Sequence, residues 1–397
     1  MVFKTLPFFI VGLISCSASN GPNGPSKGSI GSTISGEAGL YNAYGIETST
    51  LFIVDQTTDR LLGINLSDLS IKQEIELKEK NSEHYVAMDI NEKFAIDFSK
   101  KHLTIYGIDG GIYDKPFTFQ GTPTSVAYNP FTRTMIMQDT LQSVGIMKLE
   151  ENGAISKSWL GGPQVSSEKS IVAGDLDKSG RLILSMTDAS ISVIDIDQTL
   201  EKQSWQSSEF TPGLDVLNWI GPDIQNQDLV LVASSTVIAV VNVATKTVVE
   251  QKNIASTSTV KFKSKTGRPH IFTESGGVVS LYSINATGGL QVESLSQTSL
   301  IGLNQSYFDR DGAHITMLFQ NKSRNAIFNR TVLRLRLSDA LVLVEKSIET
   351  QGNTSISATK IFVNHQDPLG ALELRTIDGD DVKRLEGFNF DYLRTHD

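Results

Sequence analysis

Three sets of residues in this chain have types and spacings that could support chemistry. The first is Asp175-Leu176-Asp177-Lys178-Ser179-Gly180, which places side-chain oxygens at alternate positions, as the start of a calcium loop does. Such a loop closes with a bidentate glutamate at its twelfth position, and here that position holds Met186. Asp309-Arg310-Asp311-Gly312 repeats the pattern, and Asp with Gly is also ordinary turn chemistry. Asp175, Asp177 and Ser179 are therefore expected to be turn formers first and metal ligands only second. The second set is the histidines, His84, His102, His270, His314, His365 and His396. No two stand at i+2, i+3 or i+4, so a zinc site would need distant loops to converge. The third is a basic segment, Asn321 to Arg330, carrying Lys322, Arg324 and Arg330, with Arg334 and Arg336 following at alternate positions. It could hold an acidic protein or an anionic glycan, or be a solvated strand face with an inserted loop. No phosphate-cradling loop and no His-Glu-x-x-His is present, so neither a catalytic residue nor a cofactor is assigned.

The elements that would position these residues are strands. From residue 40 onward, short β-branched and aromatic runs alternate with polar turns. A strand, a turn and a second strand recur in Tyr41 to Asp55, Val86 to Asp97, Val126 to Gln138, Val172 to Ser185, Val216 to Ala233, Val260 to Glu274, Ser306 to Gln320 and Lys360 to Thr376. Third strands follow, as in Leu61–Leu66, Leu103–Ile108, Ile191–Ile196, Val237–Val243, Val278–Ile284 and Val332–Leu337, then more polar fourth strands such as Ile71–Leu77, Thr247–Ile254 and Leu343–Ile348. A period of roughly 40–54 residues is that of a four-stranded propeller blade. The expected fold class is all-β, a β-propeller of about eight blades, with seven as the alternative. Strands from both termini sharing one blade would close the ring and remove a free edge.

Composition narrows the functions. Of the 397 residues, 39% are hydrophobic and 20% charged, which suits a large globular body. The formal net charge of −9 repels phosphate backbones, so nucleic acid is not expected as a partner.

The one cysteine, Cys16, follows a basic start and the apolar run Leu6 to Leu13, which is too short to span a bilayer and about right for an export signal. Leu13-Ile14-Ser15-Cys16 resembles the bacterial lipobox. That resemblance implies that the Cys16 sulfur takes a diacylglycerol, that residues 1–15 are removed, and that the new amine is acylated with a fatty acid such as palmitate. It also implies a cell-envelope location, and Ser17 in place of Asp points to the outer membrane. Two or three acyl chains anchor stably, whereas one does so only marginally. Residues 16–38 are rich in Gly, Ser, Asn and Pro and predict a flexible tether with a reach of roughly 25 Å. Residues 39–397 are then the propeller body, expected to be monomeric.

The phrase Leu51 to Leu77 resembles the YVTN and WD40-like propeller families, and the likeness in architecture extends over most of the mature chain. The Gly-His and Trp-Asp signatures of WD40 repeats are absent, as is the Ala-x-Asp…Trp pattern of quinoprotein propellers. Anchor and repeat together suggest a non-catalytic platform for proteins or glycans in the envelope. The alternatives are a propeller hydrolase or lactonase with a metal at the channel mouth, and a surface adhesin. Propellers host many functions, so fold alone does not choose among them.

Overall fold

A computed structural model describes 31 strands between Thr50 and Glu386. Residues 1–49 and 387–397, with several connections that include 162–170, 197–206, 309–312 and 322–327, lie outside the described residues. Cys16, Lys322, Arg324 and His396 fall there.

The strands follow one another in the groups that the repeat predicts. The first sheet holds β1 (Thr50–Asp55), β2 (Arg60–Asn65) and β3 (Ile71–Glu76), and the second holds β4 (His84–Met88), β5 (Phe94–Ser99), β6 (His102–Gly107) and β7 (Ile112–Pro116). The third is β8 (Pro123–Asn129), β9 (Thr134–Asp139), β10 (Val144–Leu149) and β11 (Ile155–Gly161). The fourth is β12 (Ile171–Leu176), β13 (Arg181–Met186), β14 (Ile191–Asp195) and β15 (Ser207–Phe210). The fifth is β16 (Trp219–Pro222), β17 (Leu229–Ala233), β18 (Val237–Asn242) and β19 (Thr247–Asn253). The sixth is β20 (Thr259–Lys265), β21 (Arg268–Ser275), β22 (Val278–Ile284) and β23 (Leu290–Gln297). The seventh is β24 (Leu303–Phe308), β25 (His314–Asn321), β26 (Phe328–Arg336) and β27 (Leu341–Thr350). The eighth is β28 (Asn353–Ile356), β29 (Lys360–His365), β30 (Ala371–Thr376) and β31 (Val382–Glu386). Every pairing is antiparallel between consecutive strands, because short turns can only join antiparallel neighbours.

The sheets stack face to face, and alternation along the second strands explains how. Met135 and Met137 of β9 pack with Phe94, Ile96, Leu103 and Ile105 of the second sheet, while Ile136 between them packs with Leu182 and Leu184 of the fourth. In β13 the same split sends Leu182 and Leu184 one way and Ile183 toward Val230 and Val232 of the fifth sheet. In β17, Leu229 and Leu231 turn to Ile271 and Tyr282 of the sixth sheet. In β21, Ile271 faces the fifth sheet and Phe272 faces Ile315, Met317 and Phe319 of the seventh. The third to sixth sheets thus each supply half of two cores, which requires strands that are apolar on both faces. A one-residue register slip would exchange the two sets, so the pattern fixes the register.

Outer strands differ because one edge meets solvent. In β19 all residues but Val248 are exposed, and β3 alternates half-buried with exposed. Five outer strands also carry an extra residue against the third strand: Lys72, Ser156, Val249, Leu295 and Leu343. A bulge twists an edge away from further pairing, which is how sheet edges avoid recruiting other chains.

Polar groups also stitch neighbouring sheets. The Lys78 amide donates to the Tyr106 phenol oxygen (3.4 Å) between the first and second sheets. Burial, and next the charge of Asp97, push the Tyr106 phenol from 10 up to about 12, against the opposing hydrogen bonds of Lys78 and Thr104. The folded state therefore holds this proton more tightly than the unfolded chain does. Its contribution is intact below pH 10 and is lost as pH rises toward 12, by about 2–3 kcal/mol. Melting temperatures measured across that range should fall, and Tyr106→Phe should flatten the decline.

Candidate binding surfaces

Asp177 sits at the turn between β12 and β13 with a fully buried carboxylate, so its partners decide what it can do. Its Oδ1 accepts from the Ser179 hydroxyl (2.7 Å) and the Arg181 amide (2.8 Å), and its Oδ2 from Arg181 Nε (2.6 Å). The oxygens that resemble the start of a calcium loop are thus turned onto the hairpin and its arginine. Asp175, also buried, lies on β12 opposite Ile183 and accepts the amide of Leu176 (2.7 Å). Among the described residues no cluster of three or more His, Cys, Asp or Glu converges as a metal site would.

Arg181 reaches further than its own sheet. Its Nη2 donates to the Gln227 carbonyl and to Asp228 Oδ1 (3.2 Å), both in the turn that precedes β17. Burial alone would lower the Arg181 pKa, but hydrogen bonding and charge from Asp177, then Asp228, outweigh it and the value is raised. From the other side, Arg268 at the start of β21 donates to Asp223 Oδ2 (3.3 Å) in the same turn of the fifth sheet and to the Ile284 carbonyl (2.8 Å). Three sheets are therefore clamped at one end by two arginines that meet buried or half-buried carboxylates. The opposite end has its own ties. The Ser185 hydroxyl donates to the Leu217 carbonyl (2.7 Å), and Glu274 accepts the amides of Gly277 and Gly302 (3.2 Å each). These ends-of-sheet carboxylates are spent on holding sheets together.

This clamp was not anticipated as such, although its signal is in the chain. Lys178-Ser179-Gly180-Arg181 and Lys265-Thr266-Gly267-Arg268 differ only in Ser for Thr and stand at the same turn of two units. Gly180 has a φ of 86°, the left-handed backbone that delivers the following arginine to the start of its strand.

The basic segment is shorter than its sequence suggests. β25 runs on to Asn321 and β26 begins at Phe328, which leaves 322–327 as the connection. Arg330 therefore belongs to a strand and not to the loop: it pairs with Gln320 and Ile348 and is only 5% exposed. Leu333 and Leu335 face the sixth sheet, so alternation turns Arg330, Arg334 and Arg336 toward the side where β28 adjoins β25. His84 and His102 both lie in the second sheet and His270, His314 and His365 in the sixth, seventh and eighth, and His270 Nδ1 meets the Arg268 carbonyl at 3.0 Å.

A different surface stands out. The ten-residue β27 opens with Leu341, Val342 and Leu343, which are 48%, 46% and 41% exposed. Leu341 lies opposite Arg336, whereas Phe328 at the far end of β26 borders the basic connection. The two features are thus about 26 Å apart at the usual rise of a strand residue. The apolar rim shares its end of the sheets with the Arg181 and Arg268 clamps.

Antiparallel sheets of four strands and one of three, stacked in sequence order with second strands such as β9, β13, β17 and β21 buried on both sides, define a β-propeller protein. One solved structure supports that fold, and a second shows a similarity alone. Dihydro-heme d1 dehydrogenase NirN in complex with DHE superposes with a TM-score of 0.55 over 86% of this chain and 74% of that one, at 9% identity. A functionally unknown protein from Desulfotomaculum acetoxidans is 13% identical over 77% of this chain and all of that one, with a TM-score of 0.48. No protein-family profile matches the chain, and no curated protein matches it either.

Proposed function

We propose that this chain is an eight-bladed propeller, lipid-anchored in the cell envelope through Cys16, that binds a protein partner without chemistry of its own. The observation that supports it is the rim at Leu341, Val342 and Leu343. Three consecutive exposed apolar residues on an otherwise polar class of strand leave a hydrophobic patch of the kind that marks an interaction site. The bulge at Leu343 blocks simple strand addition, so the partner would offer an apolar surface to the side chains instead of its backbone. The end-of-sheet carboxylates engaged by Arg181 and Arg268 favour a structural use for charges that a hydrolase would keep for a metal.

The test is crosslinking in native membranes with the variant Leu341→Asp, Leu343→Asp. Recovery of a specific envelope protein should fall at least tenfold, in line with the loss of a central apolar anchor. Melting should hardly change, because both positions are exposed. Equal recovery by wild type and variant would contradict the proposed rim. Lys322→Ala with Arg324→Ala is the control, since that connection lies at the other end of the sheets.

A further inference from the structure

Charge is most unevenly placed on the first strands of the sheets. Those of the fourth to eighth sheets meet one another in series, β12 with β16, β16 with β20, β20 with β24 and β24 with β28. The exposed residues belong instead to fourth strands such as β19 and β27. The first strands therefore form the inner wall, where a propeller has its central channel. Of these strands, β4, β8, β16, β24 and β28 carry no Asp, Glu, Lys or Arg. β12 carries Asp175, which is buried and accepts the Leu176 amide. β20 carries Lys261, Lys263 and Lys265 at alternate positions. Alternate residues of a strand share one side and stand about 7 Å apart.

Register shows which side that is. The first-strand residues opposite Ile96, Ile136 and Leu231, which pack onto the next sheet, are Ala87, Ala127 and Gly221. Small residues suit a position where neighbouring sheets crowd together near the axis. The fourth sheet places the buried Asp175 there, opposite Ile183. In the sixth sheet the residue opposite Phe272, which packs onto the seventh, is Lys261, and Lys263 follows opposite His270. On the adjoining β24, Ser306 stands opposite Met317, on the side that packs onto the sixth sheet. Lys261, Lys263 and Ser306 thus border one cleft at the inner edge of this interface. Of the acids on that side of the sixth sheet, Glu293 belongs to the outer strand β23, and Glu274 gives its carboxylate to the amides of Gly277 and Gly302. We propose that this cleft binds a small anion bearing two or more phosphate or carboxylate groups, held by Lys261 and Lys263. Lysine is a point charge suited to either group, and a repeat of about 7 Å favours an anion with more than one of them. In a chain of net charge −9, positive charge concentrated between low-dielectric walls draws such a ligand to this place. The cleft is on inner strands and the Leu341 rim on an outer one, so the inference does not rest on that rim.

Isothermal titration of the purified full chain with pyrophosphate and with citrate, at matched ionic strength, tests it. Wild type should bind at least one of them saturably, pyrophosphate alone pointing to phosphate groups and citrate alone to carboxylates. Lys261→Met with Lys263→Met should weaken that binding at least about tenfold, as the loss of two charge-assisted contacts requires. Lys72→Met, on the outer strand β3, should leave it unchanged. No saturable binding by wild type, or equal binding by the double variant, would overturn the proposal. So would a double variant that melts lower while wild type binds neither anion, since the lysines would then be neutralised from within the chain, as by Asp309 or Asp311. Should the double variant not fold, acetylation of the wild-type lysines read by mass spectrometry decides. Pyrophosphate or citrate should slow acetylation of Lys261 and Lys263 but not of Lys72. Equal slowing at all three, or at none, would equally overturn it.

Discussion

Phe272→Ala is expected to lower the unfolding free energy by about 3–5 kcal/mol, the usual cost of removing a buried aromatic ring and leaving its space unfilled. Phe272 is fully buried, and it reaches from β21 into the core shared with Leu303, Ile315, Met317, Phe319, Leu333 and Leu335 of the seventh sheet. The damage should concentrate at that one interface, because stacked repeats hold each other mainly through nearest neighbours. Urea titration followed by hydrogen exchange would show it, with the sixth and seventh sheets opening before the third and fourth. A loss of under 1 kcal/mol, or uniform opening of every sheet, would contradict the packing described here.

Asp177→Ala should be comparably costly, about 3–5 kcal/mol, because it leaves the half-buried Arg181 without its nearest anion and strips the hairpin of its acceptor. Asp177→Asn should cost less, since an amide oxygen can still accept from Ser179 and the Arg181 amide. The double variant Asp177→Ala, Arg181→Met should recover part of the loss, because removing a buried pair together is less harmful than breaking it. Thermal melts of wild type, these three variants and Arg181→Met alone check this order. A double variant as damaged as the sum of its single changes would show that the two residues act independently.

Much of the architecture can be read from the chain because its signals are local and repeated. The third strand expected at Val237–Val243 is β18, the fourth expected at Thr247–Ile254 is β19, and the unit Val172 to Ser185 spans β12 and β13 within a residue or two. Apolar strands such as Leu229–Ala233 announce burial on both faces before any partner is known. What stayed hidden depends on which sheet stands next to which. Arg330 looked like a loop residue because Asn, Ser, Lys and Arg around it are turn-compatible, yet cross-strand pairing with Gln320 and Ile348 draws it into β26 and buries it. The Asp177 turn was read as turn chemistry first, but its arginine partner was not foreseen because only its own hairpin was in view. The arginine that occupies it is four residues on, and that arginine's second acid comes from another sheet. The fourth strand of the seventh sheet was expected at Leu343–Ile348, so Leu341 and Val342 fell outside it, whereas β27 begins at Leu341. The exposure of this rim follows from the length of the β26–β27 hairpin and from the bulge at Leu343, and neither is marked by residue type.

The most direct test of the central claim compares wild type with Cys16→Ala in native membranes, by fractionation and then by gentle crosslinking and capture. A lipid-anchored binding platform predicts that wild type sediments with membranes and brings down a specific envelope protein. It also predicts that Cys16→Ala appears in the soluble fraction and recovers much less of that protein. Cys16→Ala remaining on the membrane would contradict the anchor. No recovery by either form, together with a stoichiometric divalent metal in the purified body, would contradict the platform and direct attention to hydrolase activity.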